Sequence, residues 1–452
     1  MPNNWQIGQS AGISVDADDN IWVLQRPRAI AGSEAGATDA VEGLYVCNVG
    51  GNPIKLDAGC DEGDSFAEPV AADALGFPRP HGPISDNSIP APSILKFSPD
   101  GELLDAWGGP TWADDPTGNI LAHVQTSVED GGWGWPENLW SGDCQWPANE
   151  HGLHIGEDGM LYLAGNGFGD GTLGSALNDD GWDGVVLKFD PQTRECLLQV
   201  GRPLGPAAEH DDLIDNAATD GGANGTPRLF RAANMHVKGD ELLIADGYGN
   251  CRIVVVDKEN GQYLRHWGAF GEGPPDDSCL AEGYAESSDR ESVLTGLMGE
   301  EFGEPARENS PEIFRRPVHC VRPSEDGKLY VCDRANNRIQ AFADVMGTFE
   351  QEQYLRANTL GPGSVWDLAF SSDRRQSCLH NVDGSNMSLD TLLRETLELL
   401  ASTGSAGRNA GQFHWVHDIA TDSKGNVYIT EVDTGKRVQK FDRLGRRGCR
   451  SF

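Results

Sequence analysis

One strand-turn-strand pattern recurs along this chain, and it restricts the possible folds more than any other feature. Three of its copies read HGLHIGEDGMLYLAG, HCVRPSEDGKLYVCD and HDIATDSKGNVYITE. Each copy alternates apolar and polar residues around a glycine-containing turn, which predicts an antiparallel β-hairpin. A pattern repeated in this way builds one large domain from many small units. The six hairpins are predicted at residues 12–25, 151–165, 234–248, 319–333, 366–380 and 417–431.

A second β-rich run follows the hairpins, as in VVLKFDPQTRECLLQVG and IVVVDKENGQYLRHWG. Four short antiparallel strands in each of six copies predict an all-β fold, a six-bladed β-propeller. Residues 388–402 carry the best helical pattern in the chain, but the register of the repeat favours strands there. The N-terminal NWQIG resembles the outer-strand endings LRHWG and LLDAWG. Residues 4–8 are therefore predicted to complete the last blade and close the ring.

The propeller is predicted to form a single domain, residues 1–452, with four long insertions. Loops of this length in a compact domain are usually functional or disordered. The second insertion is rich in tryptophan, which is seldom left to solvent, so it should pack onto the propeller or roof a cavity. The insertions cover about residues 28–90, 108–147, 203–229 and 271–313, and the tryptophans are Trp112, Trp133, Trp135, Trp140 and Trp146.

The charge and the cysteines limit the partners and the compartment. A formal charge of −35 argues against nucleic acid and anionic membranes as partners, because phosphate binding needs a basic face. No apolar run is long enough for a membrane span, and the start lacks a signal peptide. The sequence as it stands thus predicts a cytoplasmic protein, and removal of a leader would make it secreted or periplasmic. Cys320 and Cys332 are predicted to be buried free thiols, whereas Cys47 and Cys60 could pair after export. The oligomeric state is left open.

Three histidines occupy the same position in alternate copies of the repeat. His151, His319 and His417 each begin a first strand, eight residues before the turn glycine. Gly12 and Trp366 fill the equivalent position in the first and fifth copies. Equivalent positions of a closed ring lie at equal radius, so the three imidazoles should meet near the axis. Three neutral imidazoles suit zinc or another divalent ion and leave one position open. The alternative is that each histidine is a hydrogen-bonded structural residue.

Residues that end the second strand of each hairpin should lie on the same rim as the histidines. Two arginines there suit a carboxylate or an oxyanion, and a tyrosine could act as acid or base. The alternatives are that Arg334 pairs with the preceding aspartate and that the tyrosine only packs. The predicted rim residues are Arg26, Asn166, Tyr248, Arg334 and Glu431, of which Asn166 is a candidate for substrate binding.

Several short motifs together resemble a known family, the NHL-repeat propellers, and within it the peptidyl-α-hydroxyglycine α-amidating lyases. The resemblance covers most of the predicted propeller but none of the insertions. The motifs are EHGL (150–153), DGYGNCRI (246–253), VHCV (318–321) with CDRANNRIQ (332–340), VHDI (416–419) and GISVD…QR, which ends at Arg26.

The resemblance implies roles for individual residues. His151, His319 and His417 match the zinc ligands of these lyases. Tyr248 matches the proposed base, and Arg26 and Arg334 match two arginines that attend the substrate.

The resemblance also implies a structural calcium ion in the central channel. Its ligands match the carboxylate of Asp418 and the backbone carbonyls of Leu153 and Ile13. Alternation along the strand points Asp418 away from His417 and into the channel, and oxygen ligands suit calcium.

The chain departs from the family pattern beside the histidines. Glu150, Val318 and Val416 replace prolines, and Trp415 replaces a methionine. Trp415 is therefore a candidate for substrate binding.

The predicted function is that of a metal-dependent lyase that cleaves a carbinolamide C–N bond into an amide and a glyoxylate-like aldehyde. One alternative is a metal-dependent hydrolase of a lactone or ester that uses the same histidines. The other is a non-enzymatic NHL scaffold that binds a protein partner and holds no transition metal.

Overall fold

The structure is a computed structural model that describes most of the repeat-bearing chain. It describes residues 5–27, 45–49, 52–57, 65–66, 89–109, 140–147, 149–167, 183–202, 219–273, 312–359, 362–444 and 449. Most of the four predicted insertions therefore lie outside the described residues, and so do Cys60, Trp112, Trp133 and Trp135. The division of the chain into one domain and the pairing of Cys47 with Cys60 stay predictions.

The described chain is built almost entirely of β-strands. The first strands are β1 (Trp5–Gln6), β2 (Gln9–Val15), β3 (Ile21–Arg26), β4 (Tyr45–Val49), β5 (Asn52–Asp57), β6 (Ser65–Phe66), β7 (Ile89–Pro90), β8 (Ile94–Phe97), β9 (Leu103–Trp107), β10 (Glu150–Ile155), β11 (Leu161–Gly165), β12 (Val185–Asp190) and β13 (Glu195–Gly201). The next are β14 (Asn234–Lys238), β15 (Glu241–Asp246), β16 (Arg252–Asp257), β17 (Tyr263–Trp267), β18 (Val318–Pro323), β19 (Leu329–Asp333), β20 (Arg338–Phe342) and β21 (Phe349–Tyr354). The last are β22 (Asp367–Phe370), β23 (Cys378–Asp383), β24 (Ser388–Leu393), β25 (Glu398–Thr403), β26 (Val416–Thr421), β27 (Val427–Glu431) and β28 (Arg437–Phe441). Short 3-10 helices occupy Ala223–Gly225, Ala269–Gly271 and Arg334–Asn336.

Six antiparallel sheets form the blades, which confirms the predicted six-bladed β-propeller. Five blades have four strands, in the orders β2-β3-β8-β9, β10-β11-β12-β13, β14-β15-β16-β17, β18-β19-β20-β21 and β22-β23-β24-β25. The sixth blade is β26-β27-β28 within the described residues. Each innermost strand contacts the innermost strand of the next blade, and β26 returns to β2, so the ring is closed. The region 388–402, with its helical pattern, is the strand pair β24 and β25, as the repeat register predicted.

Local sequence explains the hairpins. Gly159, Gly327 and Gly425 have φ values of 76°, 88° and 88°, a left-handed conformation that favours glycine. In the last of these turns, Asp422 Oδ1 accepts hydrogen bonds from the backbone N–H groups of Lys424 and Asn426 at 3.0 and 2.8 Å. The apolar residues on either side of the turns are buried between neighbouring blades, where they form the core.

Part of the tryptophan-rich insertion packs onto the propeller. Trp140 and Trp146 lie 5.7 and 5.8 Å, centroid to centroid, from Phe189, in the core between the first two blades. The disulfide Cys144–Cys196 joins this segment to the outermost strand of the second blade. For these two tryptophans, the predicted packing role is confirmed.

The predicted closure by the N-terminal strand is wrong. Trp5–Gln6 pairs in parallel with Ile89–Pro90 and not with β28. The reason is chain length, because only Ile7 and Gly8 separate this strand from β2, the innermost strand of the first blade. Neighbouring strands lie about 4.8 Å apart, so two extended residues, about 7 Å, cannot cross a blade. By comparison, the connections from the outermost strand of one blade to the innermost strand of the next are residues 355–366, between β21 and β22, and residues 404–415, between β25 and β26.

The prediction of free thiols at Cys320 and Cys332 is also wrong. The two residues face each other on β18 and β19 and form a disulfide. Opposite residues of adjacent antiparallel strands have Cα atoms about 4.5–5.5 Å apart. The Cα atoms of Cys320 and Cys332 are 4.8 Å apart, within the range that a disulfide spans. With Cys144–Cys196 and Cys378–Cys449, three disulfides join described residues to one another, and disulfides are typical of an oxidising compartment. Among the same residues, no helix is long and apolar enough to cross a membrane.

Candidate metal centre

Three of the inner strands are irregular at their histidines. The pairing register shifts between Glu150 and Gly152, between Val318 and Cys320, and between Val416 and Ile419. His151, His319 and His417 therefore sit on β-bulges, which turn a side chain out of the regular alternation of a strand. In the first blade the shift falls between Ser10 and Gly12, so Ala11, and not Gly12 as the spacing predicted, occupies the bulge.

The three imidazole rings meet at one point. Their centroids are 4.6, 4.9 and 5.0 Å apart, and one ring nitrogen from each residue lies within 4.8 Å of the other two. At least nine-tenths of each residue is buried. Inner strands of the second, fourth and sixth blades thus bring together residues that are far apart in the sequence.

Hydrogen bonds to the following blade orient each ring. Nδ1 of His151 lies 2.7 Å from the carbonyl oxygen of Ala233, and Nδ1 of His417 lies 2.6 Å from that of Ala11. Nδ1 of His319 lies 2.5 Å from the carbonyl oxygen of Trp366. A carbonyl only accepts, so each Nδ1 carries the proton and each Nε2 keeps its lone pair for the centre. Carbonyl partners of this kind commonly orient histidine ligands of metal ions.

Burial and neighbouring charges keep these rings neutral. Burial lowers the pKa of His151 well below its usual value, and His417, His319 and Arg26 lower it further. The pKa of His319 falls through burial and the charge of Arg334, and that of His417 falls through burial and the charge of Arg26. Neutral imidazole is the form that binds a metal ion, so the donor set fits zinc or a similar divalent cation.

Tyr248 lies over the histidine cluster. Its Oη is 3.0 Å from Nε2 of His151 and 3.2 Å from Nε2 of His319. Nη1 of Arg334 donates a hydrogen bond to the same oxygen at 3.0 Å. Tyr248 follows the second strand of the third blade, the position from which the hairpin argument predicted a side chain at this rim.

Both predicted arginines lie beside the centre. Arg26 donates from Nε to the carbonyl oxygen of Glu150 at 2.6 Å and from Nη1 to Gln9 Oε1 at 2.8 Å. Arg334 donates from Nε to the carbonyl oxygen of Pro362 at 2.9 Å. Burial lowers the pKa of both guanidinium groups. Within the described part of the chain, neither forms an ion pair with a carboxylate, so both retain charge for an anionic ligand.

The two other candidates for substrate binding are Asn166 and Trp415, and each has its own partners. The side chain of Asn166 is held by Asn149, whose Nδ2 donates to Asn166 Oδ1 at 2.8 Å. The ring of Trp415 packs on Trp366, 5.4 Å between centroids, and its backbone has a φ of 51°. Neither is among the residues that hydrogen-bond to Tyr248.

Sequence reasoning missed two residues that shape the site. The guanidinium carbon of Arg231 lies 5.3 Å from the ring centroid of Tyr248. Arg231 precedes the third copy of the repeat, residues 234–248, and no sequence motif includes it. Trp366 was predicted only to fill the position equivalent to a histidine, yet the guanidinium carbon of Arg334 lies 4.2 Å from the centroid of its ring.

The predicted rim residue Glu431 forms an ion pair, because Nε of Arg437 lies 2.8 Å from its carboxylate oxygen Oε1.

The group predicted to hold calcium has different partners. Asp418 Oδ2 accepts a hydrogen bond from the backbone N–H of Ile13 at 3.2 Å, and Arg322 Nη2 lies 3.3 Å from Asp418 Oδ1. The side chain of Leu153 packs in the core between the first two blades. The guanidinium of Arg322 thus lies against the carboxylate of Asp418, the only carboxylate predicted to bind calcium. Its positive charge repels a second cation, so these residues do not fit a calcium ion.

Fold and site together define a class, that of six-bladed β-propellers with a histidine-rich centre at one end of the channel. No family model matches the chain. Peptidyl-glycine alpha-amidating monooxygenase B from Xenopus laevis is 28% identical to it over 171 residues, which are 36% of this chain and 18% of that protein. The predicted resemblance is confirmed as weak homology to an amidating enzyme, of which the chain matches less than a fifth.

Two solved structures align with nearly the whole chain, at low identity and a low TM-score. The virginiamycin B lyase of Staphylococcus aureus aligns with 97% of this chain and 85% of its own, with 10% identity and a TM-score of 0.39. A streptogramin B lyase aligns with 96% of this chain and 94% of its own, with 12% identity and a TM-score of 0.39. Likeness at this level carries no argument about function.

Proposed function

We propose that this protein is a metal-dependent carbon–nitrogen lyase that acts on an N-acylated α-hydroxyglycine. The products would be an amide and glyoxylate or a related aldehyde. The observation that carries the proposal is the position of Tyr248 Oη, within hydrogen-bonding distance of two histidine Nε2 atoms and of Arg334 Nη1. The homology to an α-amidating enzyme supports the same class of substrate.

His151, His319 and His417 would hold the ion through Nε2, because each Nδ1 is already engaged by a carbonyl. When bound, a zinc-type ion supplies a Lewis acid that makes a nearby hydroxyl group more acidic. Carbonyl oxygens of the neighbouring blades already orient the buried rings, and the ion would replace the hydrogen bonds between Tyr248 Oη and the Nε2 atoms of His151 and His319. This preorganisation is what catalytic sites require of their ligands.

Tyr248 would move the proton. Its Oη takes the proton of the substrate hydroxyl while the C–O bond becomes a carbonyl and the C–N bond breaks with its electron pair on nitrogen. The same Oη then returns the proton to the amide nitrogen, so that no proton is gained or lost. In this step Tyr248 would act as the phenolate and would be the neutral phenol between the two transfers. Arg334 Nη1 would keep Oη in place through its hydrogen bond.

The arginines would bind the anionic end of the substrate. Arg26 lies half-buried beside the histidines and has no carboxylate partner among the described residues, so a substrate carboxylate would supply one. This local positive charge contrasts with the −35 of the whole chain, and it would attract an anion only at this site. Trp415 and Asn166, just outside, would contact the acyl part of the substrate.

The experiment measures glyoxylate released from α-hydroxyhippurate by protein loaded with zinc. We expect release by the wild type, and background release by His319→Ala at the same zinc concentration. His414→Ala is the matched control, since His414 is a partly exposed histidine whose Nε2 pairs with Asp433. A hydrolase would instead act on a panel of esters and lactones, and a scaffold would act on neither and bind no zinc.

A further inference from the structure

The axis of the propeller contains a buried arginine at the level where the family resemblance implies a calcium ion. Arg322 lies on β18, three residues after His319, and is 7% exposed. Its Nη2 lies 2.7 Å from Asp367 Oδ1 and 3.3 Å from Asp418 Oδ1, and both aspartates are buried. The side-chain group of Arg322, Asp367 and Asp418 is named the channel cluster below.

The channel cluster connects five of the six blades. Arg322, from the fourth blade, donates from Nε to the carbonyl oxygen of Leu368 at 3.1 Å and from Nη1 to that of Met235 at 3.5 Å. Leu368 belongs to the fifth blade and Met235 to the third. The cluster reaches the sixth and first blades through Asp418, whose Oδ2 accepts the backbone N–H of Ile13.

A second set of hydrogen bonds fixes the aspartates themselves. Asp367 Oδ2 accepts the backbone N–H of Ile419 at 3.1 Å, and Asp418 Oδ1 accepts the same N–H at 2.8 Å. The carboxylates of the fifth and sixth blades are therefore held together at the axis. Two adjacent carboxyl groups repel each other when both are ionised, and the guanidinium of Arg322, in contact with both, supplies a positive charge that offsets this repulsion.

We propose that Arg322 is a built-in substitute for a structural cation, which joins the inner strands at the axis and makes the fold independent of calcium. A bound ion would make the same connections through carboxylates and carbonyl oxygens. A guanidinium attached to the chain makes them without an ion that could dissociate. This inference does not rest on the proposed lyase activity, because it concerns a separate group of residues.

The proposal makes a distinctive prediction for removal of the arginine. Arg322→Met would leave the carboxylates of Asp367 and Asp418 beside the carbonyl oxygens of Met235 and Leu368. Such an oxygen-rich group is the kind of site that binds calcium. The variant should therefore gain the calcium dependence that the wild type lacks.

The test compares wild type, Arg322→Met and Arg322→Lys after treatment with chelator and reloading with zinc. Thermal unfolding is measured without added alkaline-earth ions, with about 5 mM CaCl2 and with the same MgCl2, and calcium binding is measured by equilibrium dialysis. We expect the wild type and Arg322→Lys to bind no calcium and to show a Tm that does not change when calcium is added, because both keep a positive charge at the axis. Arg322→Met should lose at least about 5 °C in Tm without calcium and regain part of it with calcium only.

Three results would overturn the proposal. One is calcium bound by the wild type at one ion per chain with a rise in Tm. Another is an Arg322→Met variant as stable as the wild type, and the third is a destabilised variant that does not respond to calcium. If Arg322→Met does not fold, the wild type and Arg322→Lys decide alone, because calcium binding or a calcium-dependent Tm in either contradicts the proposal. None of these readouts depends on enzymatic activity.

Discussion

Tyr248 Oη lies 3.0 Å from Nε2 of His151. The other ring nitrogen, Nδ1, donates to the carbonyl oxygen of Ala233, so Nε2 is the nitrogen through which His151 would bind a metal ion. A phenol at this distance from a ligand nitrogen also lies next to any substrate oxygen that reaches the ion. Because Arg334 donates to the same Oη, that oxygen would stay in place while, in the proposed reaction, it takes a proton from the substrate and then returns it. In the proposed reaction, this arrangement would link metal binding to proton transfer through a single side chain.

Tyr248→Phe should reduce kcat for glyoxylate release by about 100- to 10,000-fold, the usual contribution of a general acid–base group. The histidines remain, so the zinc content should stay at the wild-type level. Steady-state kinetics and metal analysis of the same sample check both expectations. Tyr263→Phe is the matched control, because its hydroxyl bonds to His266 on an outer strand and not to the histidine cluster. An equal loss in both variants would contradict a role for Tyr248 in proton transfer.

The metal content should depend on each histidine of the cluster. Wild type loaded with zinc should hold about one ion per chain after gel filtration, and His417→Ala should hold much less, since two imidazoles bind zinc more weakly than three. Elemental analysis by mass spectrometry measures this. His414→Ala should retain the ion. Wild-type protein that never retains a transition metal would remove the basis for an enzymatic function.

Arg26→Met should raise KM for α-hydroxyhippurate by about 10- to 100-fold, because it removes a charged donor to the carboxylate. The methyl ester of the same substrate lacks that charge, so its KM should change much less. The ratio of the two KM values is the measurement. Arg194→Met serves as control, since Arg194 pairs with Asp105 on the outer strands. A similar rise in KM for acid and ester would show that Arg26 does not recognise the carboxylate.

Stability should fall in acid because of buried neutral histidines. Burial, and next the charge of Arg322, lower the pKa of His154 from 6.5 to about 3 in the folded protein. Between pH 6.5 and about 3 the unfolded chain therefore binds a proton that the folded chain does not. The free energy of unfolding therefore keeps its full value above pH 6.5, as far as His154 is concerned. Below pH 6.5 it decreases by about 1.4 kcal/mol per pH unit.

The test is the free energy of unfolding at pH 7.5 and at pH 5. The wild type should lose about 2 kcal/mol more than His154→Phe over this interval, since the phenylalanine ring cannot take up a proton. His414→Phe, at a partly exposed position, should behave like the wild type. Equal losses in wild type and His154→Phe would show that His154 does not contribute to the acid sensitivity.

The repeat made most of the fold predictable. A turn glycine at a constant distance from a histidine determines the register of a hairpin, and closure of the ring then places equivalent residues together. The bulges at His151, His319 and His417 could not be predicted, because a register shift depends on the neighbouring strand. The disulfide Cys320–Cys332 could have been found, since the two residues are placed symmetrically about the turn of their hairpin.

Contacts between blades account for what the sequence did not reveal. Arg322 lies in an ordinary strand, and its partners Asp367 and Asp418 come from two other blades. Arg231 reaches Tyr248 from a segment without a motif. The N-terminal strand had the composition of an outer strand, but the length of the connection to β2 decided its position.

The most direct measurement of the central claim is glyoxylate release from α-hydroxyhippurate by zinc-loaded protein. Wild type and His319→Ala are compared at the same protein and zinc concentrations, after both are shown to be folded by their thermal transitions. The account predicts release by the wild type that is abolished by chelator, restored by zinc and absent in His319→Ala. Release by the wild type no greater than that of His319→Ala, in protein that holds its zinc, would contradict the account.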